Sequence, residues 1–299
     1  MFYKLKDRLR RGYFSHRVQG MLGTAPLALG GASSPAVLSQ LQHKDVLMYL
    51  AAIKSFARYV PPGAVHVVDD GSLTPEDHAL LSRHVPDIRF HALVDCREPG
   101  LPNGGCWERL IAIARLSQTH YVIQLDSDTL TCGPIDEVAM AARANHAFTI
   151  GTWDGQTIET ACERAEQTRA RSADLTHVQM QAEVHFDRLN EADTLKYVRG
   201  CAGFAGFPAG PGKLELIHRL SSQMQSLIGD KWLEWGSEQV MSNLVVANQP
   251  DAVVLPHPKY CDCTRIKHDE TVFIHFIGSC RFAGRTYADL ARQIVSALA

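Results

Sequence analysis

Two short apolar runs, Ala64-Val65-His66-Val67-Val68 and Tyr121-Val122-Ile123-Gln124-Leu125, each end abruptly in carboxylates. The first runs into Asp69-Asp70-Gly71-Ser72 and the second into Asp126-Ser127-Asp128. Runs this short and this rich in β-branched residues predict buried strands. Carboxylates are costly to bury without compensation. Both acidic pairs therefore belong at the carboxyl ends of their strands, where open α/β sheets form ligand crevices. Residues i and i+2 share a face of an extended strand, so Asp126 and Asp128 could both reach one hard cation. An Asp-rich turn explains the same residues on its own.

The segments between these runs read as helices. From Asp45 to Tyr59, apolar positions recur at helical spacing until Pro61-Pro62-Gly63 stops them. Thr74-Pro75-Glu76-Asp77 supplies a cap, a proline at the first helical position and acid in the first turn of a helix to about His84. Trp107 to Ser117 reads as a helix leading into the strand that carries Asp126. Ala25-Pro26-Leu27-Ala28-Leu29, ending in Gly30-Gly31, is expected as the first strand, and Ile88 to Leu93 as a weaker one. Alternating strands and helices predict an α/β fold with a mostly parallel sheet covered on both faces.

After Asp128 the pattern changes. Ala147 to Ile150, Ala252 to Leu255 and Thr271 to Gly278 read as strands, and Gly200 to Gly210 as a small-residue run implying close backbone approach. Residues 156–200 are polar and helical, an excursion over the sheet. Helices are expected within 211–227, after Gly236-Ser237 and over 287–298.

Hydrophobic residues at 45%, charged residues at 21% and a formal net charge of -2 fit an ordinary globular protein and offer no global electrostatic case for binding nucleic acid. Eight cysteines in 299 residues are too sparse for a disulfide scaffold, so thiols are expected mostly reduced in a cytoplasmic setting. Residues 1–24 form a basic N-terminal leader mixing arginine and lysine with Phe2, Leu9, Tyr13 and Phe14. It reads either as a frayed solvent-facing segment or as a peripheral contact with an anionic membrane surface, at the inner face of the membrane. Residues 25–299 read as one domain.

The order of Asp69-Asp70-Gly71-Ser72 and Asp126-Ser127-Asp128 resembles the nucleotide-sugar glycosyltransferases of the GT-A fold. Three later segments sharpen the resemblance toward the retaining group that includes the glycogenin-like and lipopolysaccharide galactosyltransferases. These are Cys201 to Phe207, Glu238-Gln239-Val240-Met241-Ser242-Asn243, and His275-Phe276-Ile277-Gly278-Ser279-Cys280-Arg281. The resemblance implies a mixed, mostly parallel central sheet flanked by helices, with a Rossmann-like nucleotide-binding half. It implies that Asp126, Asp128 and His275 hold Mn²⁺, with Mg²⁺ as substitute, on the diphosphate of a UDP-sugar. Asp69 or Asp70 would contact base or ribose, Arg281 the phosphates, and Gly203, Gly278 and Ser127 would line the donor. The chain departs from the family at Arg281-Phe282-Ala283, where lysine, proline and tryptophan are usual, and at Glu238, where aspartate is usual.

Transfer to a carbohydrate or lipid-linked acceptor hydroxyl, with retention, is the expected activity. If the reaction inverts instead, a general base is needed, and Glu238 and Asp154 are the candidates. Arg109 could reach the diphosphate or pair with Asp69 or Asp70, or be a plain exposed helical arginine. Trp232 and Trp235 could stack on sugar, with core packing expected for one of them. Three other readings remain open. A sugar-phosphate nucleotidyltransferase would use a glycine-rich loop after the first strand, and a catalytically silent protein would bind nucleotide sugar without turnover. A structural zinc site could use His257, Cys261, Cys263 and Cys280.

Overall fold

The structure, a computed structural model, describes residues 2–171, 174–278 and 280–298, with side chains from Arg8 onward. Ser279 of the late segment, Ser172-Ala173 of the excursion and the side chains of Phe2 to Asp7 in the leader lie outside the described residues.

The chain begins with α1 (Phe2–Val18), β1 (Ala36–Leu41), α2 (Val46–Ala57), β2 (Ala64–Asp69), α3 (Pro75–His84) and β3 (Arg89–Ala92). It continues with α4 (Trp107–Leu116), β4 (Val122–Leu125), β5 (Thr129–Thr131), α5 (Asp136–Ala144), β6 (Phe148–Gly151) and β7 (Glu159–Thr160). Next come α6 (Ala161–Arg171), α7 (Val178–Glu183), β8 (Lys196–Tyr197), β9 (Gly200–Phe207), α8 (Lys213–Ile228) and α9 (Ser237–Ala247). The last elements are β10 (Val253–Leu255), β11 (Tyr260–Asp262), β12 (Phe273–His275) and α10 (Thr286–Leu298). They divide into two compact units, one of Met1–Ala92, Leu125–Met140 and Pro256–Ala299, the other of Leu93–Gln124 and Ala141–Leu255.

In the first unit, β1, β2 and β3 pair in parallel, with Leu41 opposite Asp69 and Asp69 opposite Ala92. This register puts the acidic end of β2 level with the carboxyl end of β1. α2 is apolar nearly all round, and Tyr49, Leu50, Ile53 and Phe56 are fully buried, the pattern of a helix covered on several sides. α3 starts with a complete capping box. Thr74 Oγ1 accepts from Asp77 N at 3.2 Å, and Asp77 Oδ2 accepts from Thr74 N at 2.8 Å. Such a cap contributes about 1 kcal/mol.

A small sheet completes this unit, with β12 antiparallel to β5 and parallel to β11. β12 is shorter than the expected strand over 271–278. Val272 N turns back to Lys259 O, and Phe276 N leaves the ladder for Asp128 O at 2.8 Å. That departure ties the end of β12 to the acidic loop after β4.

From Phe14 onward the N-terminal segment packs into the fold, where one reading expected a frayed, solvent-facing leader. Phe14, Val18 and Met21 are buried, and Phe14 packs on Tyr287 of α10 with ring centroids 4.3 Å apart. Arg17 pairs with Asp289 at 2.8 Å. Gly20 allows the close approach, because a Cβ would sit 2.9 Å from a Val295 methyl and something would have to shift.

The first strand is also displaced from its expected place. Residues 25–29 form no strand, and Leu27 N bonds instead to His84 O. Pro26 has no N–H to give a ladder, whereas Ala36–Leu41 pairs residue by residue with β2. Ser39 and Gln40 disguise β1 in the sequence, yet Ser39 is fully buried and donates to Leu125 O at 2.5 Å. Gly30-Gly31 therefore precede β1. The glycine loop after the first strand that a nucleotidyltransferase reading needs is not there.

In the second unit the strand order is β10-β6-β9-β4, with β10 parallel and β9 antiparallel to β6. The small-residue run is mostly β9 itself. Gly206 faces Phe148 in the register, and a Cβ there would collide with that ring and with the Tyr121 hydroxyl. The 156–200 region holds β7, α6, α7 and β8, anchored by the buried Glu183. Its carboxylate accepts from Thr168 at 2.8 Å and Tyr197 at 3.1 Å and pairs with Arg199. The fold class is α/β with a mixed, mostly parallel seven-stranded sheet flanked by helices, as the sequence predicts.

Candidate metal centre

Three ligand atoms, one each from Asp126, Asp128 and His275, lie within 4.8 Å of one another. The local folding is direct. β4 delivers Asp126 and Asp128 at its end, and β5 follows at once. The β5–β12 ladder then sets His275 opposite Thr129. His275 Nε2 stands 3.3 Å from Asp128 Oδ1. Thr129 Oγ1 donates to Asp126 O at 2.9 Å and fixes the turn between the carboxylates.

Arg281 adds a fourth group. Its guanidinium pairs with Asp128 Oδ2 and its Nε donates to Phe276 O at 3.1 Å. Asp128 is nearly buried, at 4% exposure. Burial alone would raise its carboxyl, but the His275 imidazole and the Arg281 guanidinium outweigh it and hold it below the usual carboxylate range. Burial likewise works against the Arg281 charge, and Asp128 and Asp45 more than offset it. Two carboxylates and one imidazole converging in this way fit a divalent ion such as Mn²⁺ or Mg²⁺, the imidazole binding through a neutral ring nitrogen.

Asp69 and Asp70 lie at the carboxyl end of β2, as expected, with carboxylates engaged in their own loop. Asp69 Oδ1 accepts from Gly71 N at 2.8 Å, and its Oδ2 lies 3.0 Å from His78 Nε2. Asp70 Oδ1 accepts from Ser72 N and Ser72 Oγ. Gly71 has φ +92°, which favours glycine in this turn. Ser127 is half-buried between Asp126 and Asp128, and its carbonyl lies 3.5 Å from the Tyr287 hydroxyl. Gly278 is exposed, and a Cβ there would meet no protein atom within 4 Å.

The second unit carries a separate constellation. Arg109 is neither exposed nor paired with Asp69 or Asp70. It is buried, and its guanidinium reaches both oxygens of the buried Glu238 at 3.3 Å. Glu238 sits in the first turn of α9 behind Gly236, the N-cap, whose φ is +104°. Trp107 Nε1 donates to Ser237 Oγ at 2.9 Å, fixing the same turn. Nothing in the sequence ties Arg109 to Glu238, because 129 residues separate them.

Trp232 is core, donating to Ser221 Oγ at 2.9 Å, while Trp235 is 73% exposed. Asp154 is exposed in a turn with Gly155, the ordinary role of that pair. Gly203 is buried in β9.

The zinc reading does not survive. Cys263 and Cys280 form a disulfide with Cα atoms 5.9 Å apart. Cys261 is buried beside Thr271. Six of the eight cysteines are free. Among the described residues, no helix is long and apolar enough to cross a membrane.

No protein-family model and no curated protein sequence matches the chain. Its fold is similar to that of the galactosyltransferase LgtC in complex with donor and acceptor sugar analogues. That match has 12% identity and a TM-score of 0.53, over 86% of this chain and 95% of that one. An active-site mutant of LgtC matches at 11% identity and a TM-score of 0.53, with the same coverage. The glycosyltransferase GlyE of Streptococcus pneumoniae TIGR4 matches at 10% identity and a TM-score of 0.50, over 88% of this chain and 62% of GlyE. At these identities the shared property is the fold. This chain has the GT-A fold.

Proposed function

We propose that the chain is a metal-dependent glycosyltransferase moving a hexose from a UDP-sugar to a carbohydrate or lipid-linked hydroxyl, with retention. The observation that carries this reading is the convergence of Asp126, Asp128 and His275 at the end of β4. Residues 25–299 act as one catalytic domain in this account. Asp126, Asp128 and His275 would hold Mn²⁺, or Mg²⁺ in its place. When bound, such an ion neutralises charge on a departing diphosphate and orients it.

The chain's own residues supply the rest. Arg281, pinned to Asp128, presents a cationic fork suited to phosphate oxygens. Gly278 leaves room beside it. Asp69 or Asp70 would meet the ribose or base, exchanging the loop hydrogen bonds each now makes. Glu238 would face sugar or acceptor, and its pairing with Arg109 disfavours a role as proton-accepting base. Asp154, exposed in its turn, is the weaker candidate for that role. The galactosyltransferase and glycosyltransferase of like fold support the class of reaction, since one of them was solved with donor and acceptor sugar analogues.

Donor hydrolysis measured across UDP-, GDP-, CMP- and dTDP-sugars, with Mn²⁺ and with chelator, tests the reading. The expected result is turnover of a UDP-sugar that needs the metal and releases a product of retained anomeric configuration. Turnover that chelator leaves unchanged would overturn it.

A further inference from the structure

A cleft of about 290 Å³ opens between α1 and the segment from Arg281 to Ala288. Its floor is aromatic. Phe14 and Phe282 lie 6.2 Å apart, and Tyr287 packs tilted against Phe14 at 4.3 Å. Leu9 and Tyr13 form one lip, four residues apart on α1 and so on one helical face. Both project outward, Leu9 at 66% exposure and Tyr13 at 37%.

The charges around this cleft are unequal in kind. Arg11 has Asp45 at 2.7 Å, Arg17 has Asp289 at 2.8 Å, and Arg281 has Asp128. Arg10 and Arg285 line the cleft, are exposed, and make no ion pair with a described side chain. Arg285 is held over the mouth, its guanidinium 5.9 Å from the Tyr13 ring centroid. Among the described residues, none that lines the cleft is acidic. The first 18 residues hold six lysines and arginines against one aspartate, in a chain of formal net charge -2.

We propose that this cleft docks the protein on an anionic lipid bilayer. Arg10 and Arg285 take the phosphate of a lipid headgroup, while Leu9 and Tyr13 enter the headgroup–acyl boundary. Unpaired cations beside outward apolar side chains on one helix are the chemistry of an interfacial anchor. A soluble anion would satisfy the arginines and leave Leu9 exposed. An apolar protein partner would leave both arginines unpaired. The proposal is independent of the sugar-transfer reading and names a contact surface rather than a catalytic group.

Vesicle flotation of the full chain, without donor or acceptor, tests it. Phosphatidylcholine vesicles are compared with vesicles that also contain phosphatidylglycerol. Binding is expected only to the anionic vesicles and is expected to fall as salt rises. Arg10→Gln with Arg285→Gln should weaken it by about twenty-five-fold, at roughly a fivefold loss per arginine near an anionic surface. Leu9→Ser should weaken it with no change of charge. A matched pair, Arg58→Gln with Arg83→Gln, removes two exposed charges elsewhere and should leave binding close to that of the parent. Thermal midpoints show that each variant is folded. Equal binding to both vesicle types would overturn the proposal, as would unchanged binding of the cleft pair. So would equal weakening by the matched pair, or self-association with no vesicle binding.

Discussion

His275 Nε2 stands 3.3 Å from Asp128 Oδ1, although 147 positions of sequence separate the two. The ladder between β5 and β12 imposes the approach, since it aligns His275 with Thr129, the residue after Asp128. A histidine serving only the core would turn away from that carboxylate. His275→Ala should therefore lower Mn²⁺ affinity by more than about tenfold, since losing even an outer partner of a metal ligand costs that much. Calorimetric titration of the apo chain with Mn²⁺ measures it, and an unchanged isotherm would remove His275 from the site.

The Arg109–Glu238 pair lends itself to a double-mutant cycle. Both side chains are buried, at 5% and 3% exposure, so removing one partner takes an ion-pair contact away from a charge held in a low-dielectric site. Glu238→Leu or Arg109→Met alone should cost about 3 kcal/mol of unfolding free energy. The double variant Arg109→Met with Glu238→Leu should recover much of that. Urea unfolding of the four proteins gives the coupling, and additive losses would mean the pair is not energetically coupled.

A buried cluster around Lys54 sets the stability profile with pH. Lys54 donates to Thr24 Oγ1 and Ala25 O at 2.6 Å and to His84 Nδ1 at 2.9 Å. Burial, with Lys54 and Arg83 adding to it, pulls His84 down to about 4, and burial pulls Lys54 down to about 8. A base whose folded pKa is depressed destabilises the fold as pH drops from its unfolded toward its folded value. Stability should therefore fall between pH 6.5 and about 4 through His84, and rise between about 8 and 10.5 through Lys54. Urea midpoints across this range check the signs. His84→Gln should flatten the acid limb, and an unaltered limb would place its origin elsewhere.

The Cys263–Cys280 bridge encloses β12 and ends one residue before Arg281. Closing a loop of 17 positions should stabilise the folded chain by about 3 kcal/mol on the loop-entropy account. Thiol titration in denaturant should count six free thiols before reduction and eight after it. Eight thiols without reductant would mean the bridge is absent in solution, and the predicted loss on reduction would vanish.

Legibility of the sequence followed the physics of each feature. Strands announced by an apolar run and an acidic end, β2 and β4, were readable because burial and desolvation act locally. The trio Asp126, Asp128 and His275 was named together from motif order, and the structure brings their ligand atoms together, whereas the pairing of Arg281 with Asp128 was not legible. β1 was misplaced to residues 25–29 because Ser39 and Gln40 dilute its apolar signal, while a single buried hydroxyl bond to Leu125 O compensates for Ser39. The buried Arg109–Glu238 pair left no trace in the sequence, since helical spacing cannot say which long-range partner an arginine meets. The disulfide was equally hidden, because eight scattered cysteines do not specify a pairing. α1 hid its buried Phe14 and Val18 among arginines, and its packing against Tyr287 and its Arg17–Asp289 pair with α10 distinguish it from a loose leader.

The central claim is that Asp126, Asp128 and His275 form a divalent-metal site that binds the nucleotide-sugar donor. Calorimetric titration of UDP into the chain tests it most directly, with Mn²⁺, with chelator, and in Asp128→Asn. The account predicts binding with Mn²⁺ that is lost with chelator and lost in the folded Asp128→Asn variant. Binding of UDP that is indifferent to both chelator and Asp128→Asn would contradict it.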